Sequence, residues 1–161
     1  MKQVIIIPIK NKQLEKIVAS PHITLVYPFS INKKKLLEYI KETINKTKKF
    51  KIILKGHQKS AKEYYLYLLI SSGKRKVMSL YKKFNSGPLK GFKNPDMPKY
   101  IPHVSLGNFK TKKEFNEFKK EIEKKNLKIT LEVDQILLGD VSNIGDITKN
   151  KLVNKKYFKL K

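Results

Sequence analysis

The sequence predicts an α+β domain of two pseudo-symmetric lobes, each an antiparallel-rich sheet with outer helices, set around a central cleft. Three observations carry this expectation. Pro21-His22-Ile23-Thr24-Leu25 recurs in the second half of the chain as Pro102-His103-Val104-Ser105-Leu106. Each pentad alternates polar and aliphatic side chains with the period of a β-strand. Around each copy the order motif strand, helix, strand, strand repeats, which extends the duplication across most of a single domain spanning 1–161, with halves at about 1–85 and 86–161.

The elements follow in order. Val4–Ile9 is an apolar strand, a short helix is expected near Gln13–Ala19, and His22–Phe29 is the first motif strand. Leu36, Leu37, Ile40 and Ile44 then fall on one helical face, with Lys33, Lys34 and Lys35 solvated at its start. Strands are expected at Phe50–Lys55 and Tyr64–Ile70, joined by a polar turn around Gly56–Ser60. Val77, Leu80, Tyr81 and Phe84 mark a second amphipathic helix. After the second motif strand, His103–Phe109, Thr111 and Glu114 form a capping box ahead of a helix whose stripe is Phe115, Phe118 and Ile122. Strands at Leu127–Val133 and Gln135–Val141 are read as counterparts of the first-half pair, and Tyr157–Leu160 closes the chain. Two segments stand outside this scheme. Ser86–Lys99 is rich in Gly and Pro and leads into the second motif. Ser142–Lys156 is polar and receives no role.

On a strand, His22 and Thr24 share one face while Ile23 and Leu25 anchor the other, and His103 with Ser105 repeats the arrangement. Duplicated core packing would account for the repeated aliphatics, but it gives no reason for the polar members to recur. Two imidazoles can act as general acid and general base, both titrating near neutral pH. Two hydroxyls can donate hydrogen bonds to phosphate oxygens. Together they suffice for in-line cleavage or closure of a phosphodiester. With no Cys, no His pair at helical spacing and no cluster of carboxylates beside the histidines, a metal site is not expected. Gly73-Lys74-Arg75 and Lys59-Ser60 lack the spacing of a phosphate loop, so the chemistry is expected to need neither ATP nor another cofactor. His57 lacks a motif and is read as a surface residue at a turn.

Two H-x-[ST] motifs half a chain apart, the strand Val4–Ile9 and the lead-in Lys99-Tyr100-Ile101 resemble the 2H phosphoesterase superfamily, which includes the 2′-5′ RNA ligases and 2′,3′-cyclic phosphodiesterases. The resemblance covers nearly the whole chain. It implies that His22 and His103 are the catalytic acid–base pair, His22 as acid and His103 as base, and that Thr24 and Ser105 bind phosphate. It implies a metal-independent phosphodiesterase acting on 2′,3′-cyclic phosphates or related 2′-linked phosphodiesters of RNA ends or nucleotides. Ligation is the same transesterification in reverse, and sequence does not choose between the directions. A non-catalytic RNA-binding module and a phosphodiesterase for small cyclic oligonucleotides are the remaining alternatives. Phe92, Lys99 and Tyr100 are candidates for substrate contact, Phe92 or Tyr100 by stacking on a base. The segment before the first motif is shorter than the family's, which puts contacts from that region in question.

Composition sets the partners. A net charge of +24 favours a polyanion, and RNA is the natural one beside such a site. Arg75 is the sole arginine among 37 basic residues, so a lysine-biased proteome accounts for the excess equally well. The apolar runs Val4–Ile7 and Tyr64–Ile70 are too short to span a bilayer and no leader pattern is evident, so a cytoplasmic monomer without a membrane partner is expected.

Overall fold

The computed structural model describes residues 2–92, 99–141 and 152–161. Its elements are β1 (Lys2–Pro8), α1 (Lys12–Glu15), β2 (His22–Phe29), α2 (Lys33–Asn45), β3 (Phe50–Lys59), β4 (Tyr64–Ser72), α3 (Lys74–Phe84), β5 (His103–Phe109), α4 (Lys112–Lys125), β6 (Lys128–Val133), β7 (Gln135–Val141) and β8 (Val153–Lys159). The strands form one antiparallel sheet in the order β6-β3-β4-β5-β2-β1-β7-β8. The motif strands β5 and β2 are its two central members. They join at one registered pair, Ile23 with Val104, so the sheet divides there into two four-stranded lobes.

Helix residues Leu14, Leu36, Ile40, Val77, Leu80, Phe84, Phe115 and Ile122 share one apolar cluster with the alternate strand residues Ile5, Ile7, Ile23, Leu25, Leu66, Leu68, Val104 and Leu106. All four helices therefore cover the same face of the sheet, and the motif side chains are left to the other. On that other face a smaller cluster of Val4, Ile6, Leu137, Val141 and Leu152 packs over β1 and β7. Local signals set the helix ends. Asn32 caps α2 through the amides of Lys34 and Lys35, and Thr111 with Glu114 forms the expected capping box of α4.

The structural repeat runs in a different frame from the one read in the sequence. Pro8, Ile7 and Ile6 pair with His22, Ile23 and Thr24, while Leu69, Leu68 and Tyr67 pair with His103, Val104 and Ser105. The repeated unit is thus strand, helix, motif strand, helix: β1-α1-β2-α2 matches β4-α3-β5-α4. Strands β6 and β7 are not a counterpart of the β3–β4 hairpin. Asp134 alone separates them, and a hairpin reversal takes at least two residues. The chain instead passes from the outer edge of one lobe to pair with β1 in the other.

Smaller differences have local causes. The first helix is a single turn, Lys12–Glu15, capped by Asn11. Strand β3 does not stop at Lys55. Gly56 takes φ +84 at a shift in register, and the strand continues to Lys59. His57 therefore lies in a strand, with its Nε2 3.3 Å from a carboxylate oxygen of Glu123. The closing strand begins earlier than expected, at Val153. Among the described residues no helix is long and apolar enough to cross a membrane.

Candidate active site

The pairing of Ile23 with Val104, both fully buried, fixes the geometry of the site. Their side chains point into the helical core, so their neighbours on either strand point to the opposite face. In the antiparallel register His22 comes opposite Ser105, and Thr24 comes opposite His103. Directly opposite residues in such a pair lie roughly 5 Å apart at Cα. The four motif side chains thus converge around a single rung at the middle of the sheet.

Each imidazole is held in the same way. His22 Nδ1 lies 2.7 Å from the carbonyl oxygen of Ser20, and His103 Nδ1 lies 2.6 Å from that of Ile101. In both copies the acceptor stands two residues back, across a proline whose ring fixes φ and so aims the preceding carbonyl. A carbonyl can only accept, so Nδ1 carries the hydrogen in both motifs, and proton transfer falls to Nε2. This accounts for the proline in each pentad.

Burial lowers His103 to about 4, the nearby His22 pushes it the same way, and the Ile101 carbonyl offsets only part of this. The expectation that both histidines titrate near neutrality therefore fails for His103, which is uncharged at pH 7. Against its ring lies Tyr67, a residue the motif reading missed. The Tyr67 ring stacks on the His103 imidazole with centroids 3.6 Å apart at an interplanar angle of 23°. Its own phenol is raised, chiefly by burial and then by the charge on Glu63, and stays protonated. The alternation of Tyr65 and Tyr67 with Leu66 and Leu68 hinted at an aromatic face. That β4 would lie beside β5, across an intervening helix and loop, was not legible.

The three further candidates are placed differently. The Tyr100 hydroxyl donates to the backbone carbonyl of Thr24 at 2.8 Å, and its ring lies parallel to Tyr81 at 3.6 Å. Burial raises this phenol well above its ordinary value, with Tyr27 and Tyr81 adding to the effect. Tyr100 thus ties the approach to the second motif onto the first motif strand; it is a brace, and its face is taken by Tyr81. Phe92 packs toward the core, its ring centroid 5.6 Å from that of Phe29, so base stacking is not the role its placement favours. Lys99 is exposed beside the motif. The rest of the Gly- and Pro-rich connection, 93–98, and most of the polar segment, 142–151, lie outside the described residues.

Comparison with known proteins follows the same line. The sequence model of the 2′-5′ RNA ligase superfamily matches residues 12–143, which include both motifs. The chain belongs to the 2′-5′ RNA ligase superfamily. Within this superfamily, whose members are also known as 2H phosphoesterases, the fold is similar to several solved structures. A protein described as a phosphoesterase superposes with a TM-score of 0.67 at 11% identity, over 99% of this chain and 98% of that one. Escherichia coli LigT complexed with NADP+ gives 0.67 at 12% identity, covering 99% and 96%. A Thermus thermophilus protein gives 0.63 at 12%, covering 99% and 98%. At such identities the likeness is one of fold. No curated protein matches the chain. Superfamily membership makes the chain a phosphodiesterase- or ligase-type protein of 2′-linked RNA or nucleotide phosphates.

Proposed function

We propose that the protein cleaves 2′,3′-cyclic phosphates, or related 2′-linked phosphodiesters, on RNA ends or nucleotides by two-histidine acid–base catalysis. The observation that carries this reading is the matched pair of imidazoles on adjacent central strands, each held through Nδ1 by the carbonyl two residues back. His103, held neutral by burial, takes a proton from water at Nε2. The water oxygen bonds to phosphorus as the bond from phosphorus to the departing ribose oxygen breaks. His22, protonated, gives its Nε2 proton to that oxygen. Thr24 and Ser105 donate to the non-bridging oxygens, which gain negative charge as the reaction proceeds. With a ribose hydroxyl in place of water as the nucleophile, the same groups open a cyclic phosphate into a 2′-linked diester, the departing ribose oxygen taking the His22 proton.

Acid, base and phosphate donors are all protein side chains in this scheme, so it requires no metal or nucleotide cofactor. A panel of cyclic mononucleotides, RNA oligomers ending in a cyclic phosphate and 2′-5′ dinucleotides tests the reading directly. Turnover of the cyclic-phosphate substrates, abolished in a His22→Ala, His103→Ala double variant, is the expected result. Binding without turnover on every member would leave an RNA-binding module. Turnover of a cyclic oligonucleotide added to the panel, with none on the other members, would assign a small signalling substrate.

A further inference from the structure

Beyond the catalytic rung, the helical side of the molecule carries a groove of about 1010 Å³ lined by Ser71, Gly73, Lys74, Arg75, Met78, Ser79, Lys82 and Lys83. Lys74, Arg75, Lys82 and Lys83 are exposed. No carboxylate is among the described residues that line it, and none occurs in the sequence from Tyr64 to Pro95. The cations lie along one face of α3, spread over about 12 Å of helix axis at 1.5 Å per residue. The buried stripe of Val77, Leu80 and Phe84 holds the opposite face.

The groove begins close to the second motif strand. It opens at Ser71, two residues past Leu69, the register partner of His103, a step of roughly 7 Å along a strand. Gly73 makes the connection abrupt. Its φ is +80, and a Cβ there would collide with the carbonyl oxygen of Lys51, so only glycine lets α3 start directly off β4. Farther along α3, Tyr81 stacks on Tyr100, whose hydroxyl holds Thr24. A second groove on the helical side, between α1 and α4, includes Glu121 among its lysines and lacks this uniform charge.

We propose that the groove along α3 is an RNA track, holding the backbone phosphates of the strand whose end reacts at His22 and His103. That last clause rests on the proposed function; the binding of phosphates along α3 does not. A concave row of cations without a carboxylate suits a flexible polyanion. A membrane surface fits less well, since among the described lining residues Met78 is the one apolar side chain and no aromatic or leucine is offered for insertion.

The test compares three full-length proteins: wild type, a groove variant (Lys74→Glu, Arg75→Glu, Lys82→Glu) and a charge-matched variant on α4 (Lys112→Glu, Lys113→Glu, Lys120→Glu). All six positions are exposed, and circular dichroism checks that each protein is folded. Affinity for a twelve-nucleotide single-stranded RNA is measured against salt, with either a cyclic phosphate or a plain hydroxyl at its 3′ end. Turnover of a cyclic mononucleotide is measured in parallel. The expected result is a roughly tenfold or greater loss of affinity in the groove variant alone, for both RNA ends, with a salt slope shallower by about 2. Its turnover of the mononucleotide stays within about twofold of wild type. Equal losses in the two variants would reduce the effect to net charge and overturn the proposal, as would unchanged affinity in the groove variant. So would phosphatidylserine vesicles binding wild type more tightly than the RNA does and losing that binding in the groove variant. If the proteins turn over no cyclic phosphate but the groove variant still loses both RNAs, the track stands and the catalytic reading falls.

Discussion

The Tyr67 ring lies flat on the His103 imidazole, 3.6 Å away, while the position that corresponds to it beside His22 is held by Ile6. Tyr67 pairs with Ser105 as Ile6 pairs with Thr24, so the two side chains are related by the internal repeat. One half sets an aromatic ring over its histidine and the other sets a branched aliphatic two residues along. The duplication supplies two similarly held imidazoles, and the residue at this paired position differs between them.

Replacing the ring tests what the stack does to His103. Tyr67→Phe keeps the stacked face and is expected to leave His103 near its present value. Tyr67→Ala opens the imidazole to water, and the His103 titration followed by NMR should rise by about one to two pH units. The acidic limb of kcat/KM should move with it. An unmoved titration in Tyr67→Ala would assign the depression to another source of burial.

The proposed acid–base pair makes a prediction about pH and metal. His22→Ala and His103→Ala should each lower kcat/KM by about 10²-fold or more on a cyclic-phosphate substrate. The wild-type profile should be bell-shaped, with its acidic limb near 4, where His103 takes up a proton. EDTA should leave the profile unchanged. Full activity in either single variant would remove the proposed mechanism.

His103 also couples stability to pH. Its folded value of about 4 lies below the ordinary 6.5, so between these values the unfolded chain holds a proton that the folded chain does not. Its contribution is complete above pH 6.5 and is lost as pH falls toward 4, by at most about 3 kcal/mol. Urea unfolding of wild type and His103→Gln at pH 7 and pH 5 checks this. The variant should lose less stability than wild type on acidification.

The hydroxyls and their brace should separate chemistry from folding. Thr24→Val and Ser105→Ala are expected to lower kcat more than they change the urea midpoint, because the phosphate oxygens they are proposed to hold gain charge in the transition state. Tyr100→Phe keeps the stack on Tyr81 and removes the hydrogen bond to the Thr24 carbonyl. It should cost about 1 kcal/mol of stability and reduce kcat through the displaced strand. Wild-type kinetics in both hydroxyl variants would make Thr24 and Ser105 ordinary strand residues.

Much of this was legible in the sequence because it is local. Alternation placed His22 with Thr24 and His103 with Ser105 on one strand face, helical spacing marked the buried stripes of α2, α3 and α4, and Thr111 with Glu114 announced a helix start. The first and last of these depend on neighbours two or three positions away, a separation at which backbone geometry is nearly fixed. His57 was misplaced because Gly56 reads as a turn signal, although a glycine with positive φ serves a bulge within a strand equally well.

The sequence by itself determined that two histidine and hydroxyl pairs exist, on two strands, each with its aliphatic anchors. Only the tertiary structure decided that β2 and β5 meet at Ile23 and Val104, that β6 and β7 part into different lobes, and that Tyr67 covers His103. Strand order and register across a sheet arise from the joint packing of all the helices against one face, a sum over contacts far apart in the chain. No periodicity within a single segment encodes that sum, and so the stacking of Tyr67 on His103 appears only when the strands are side by side.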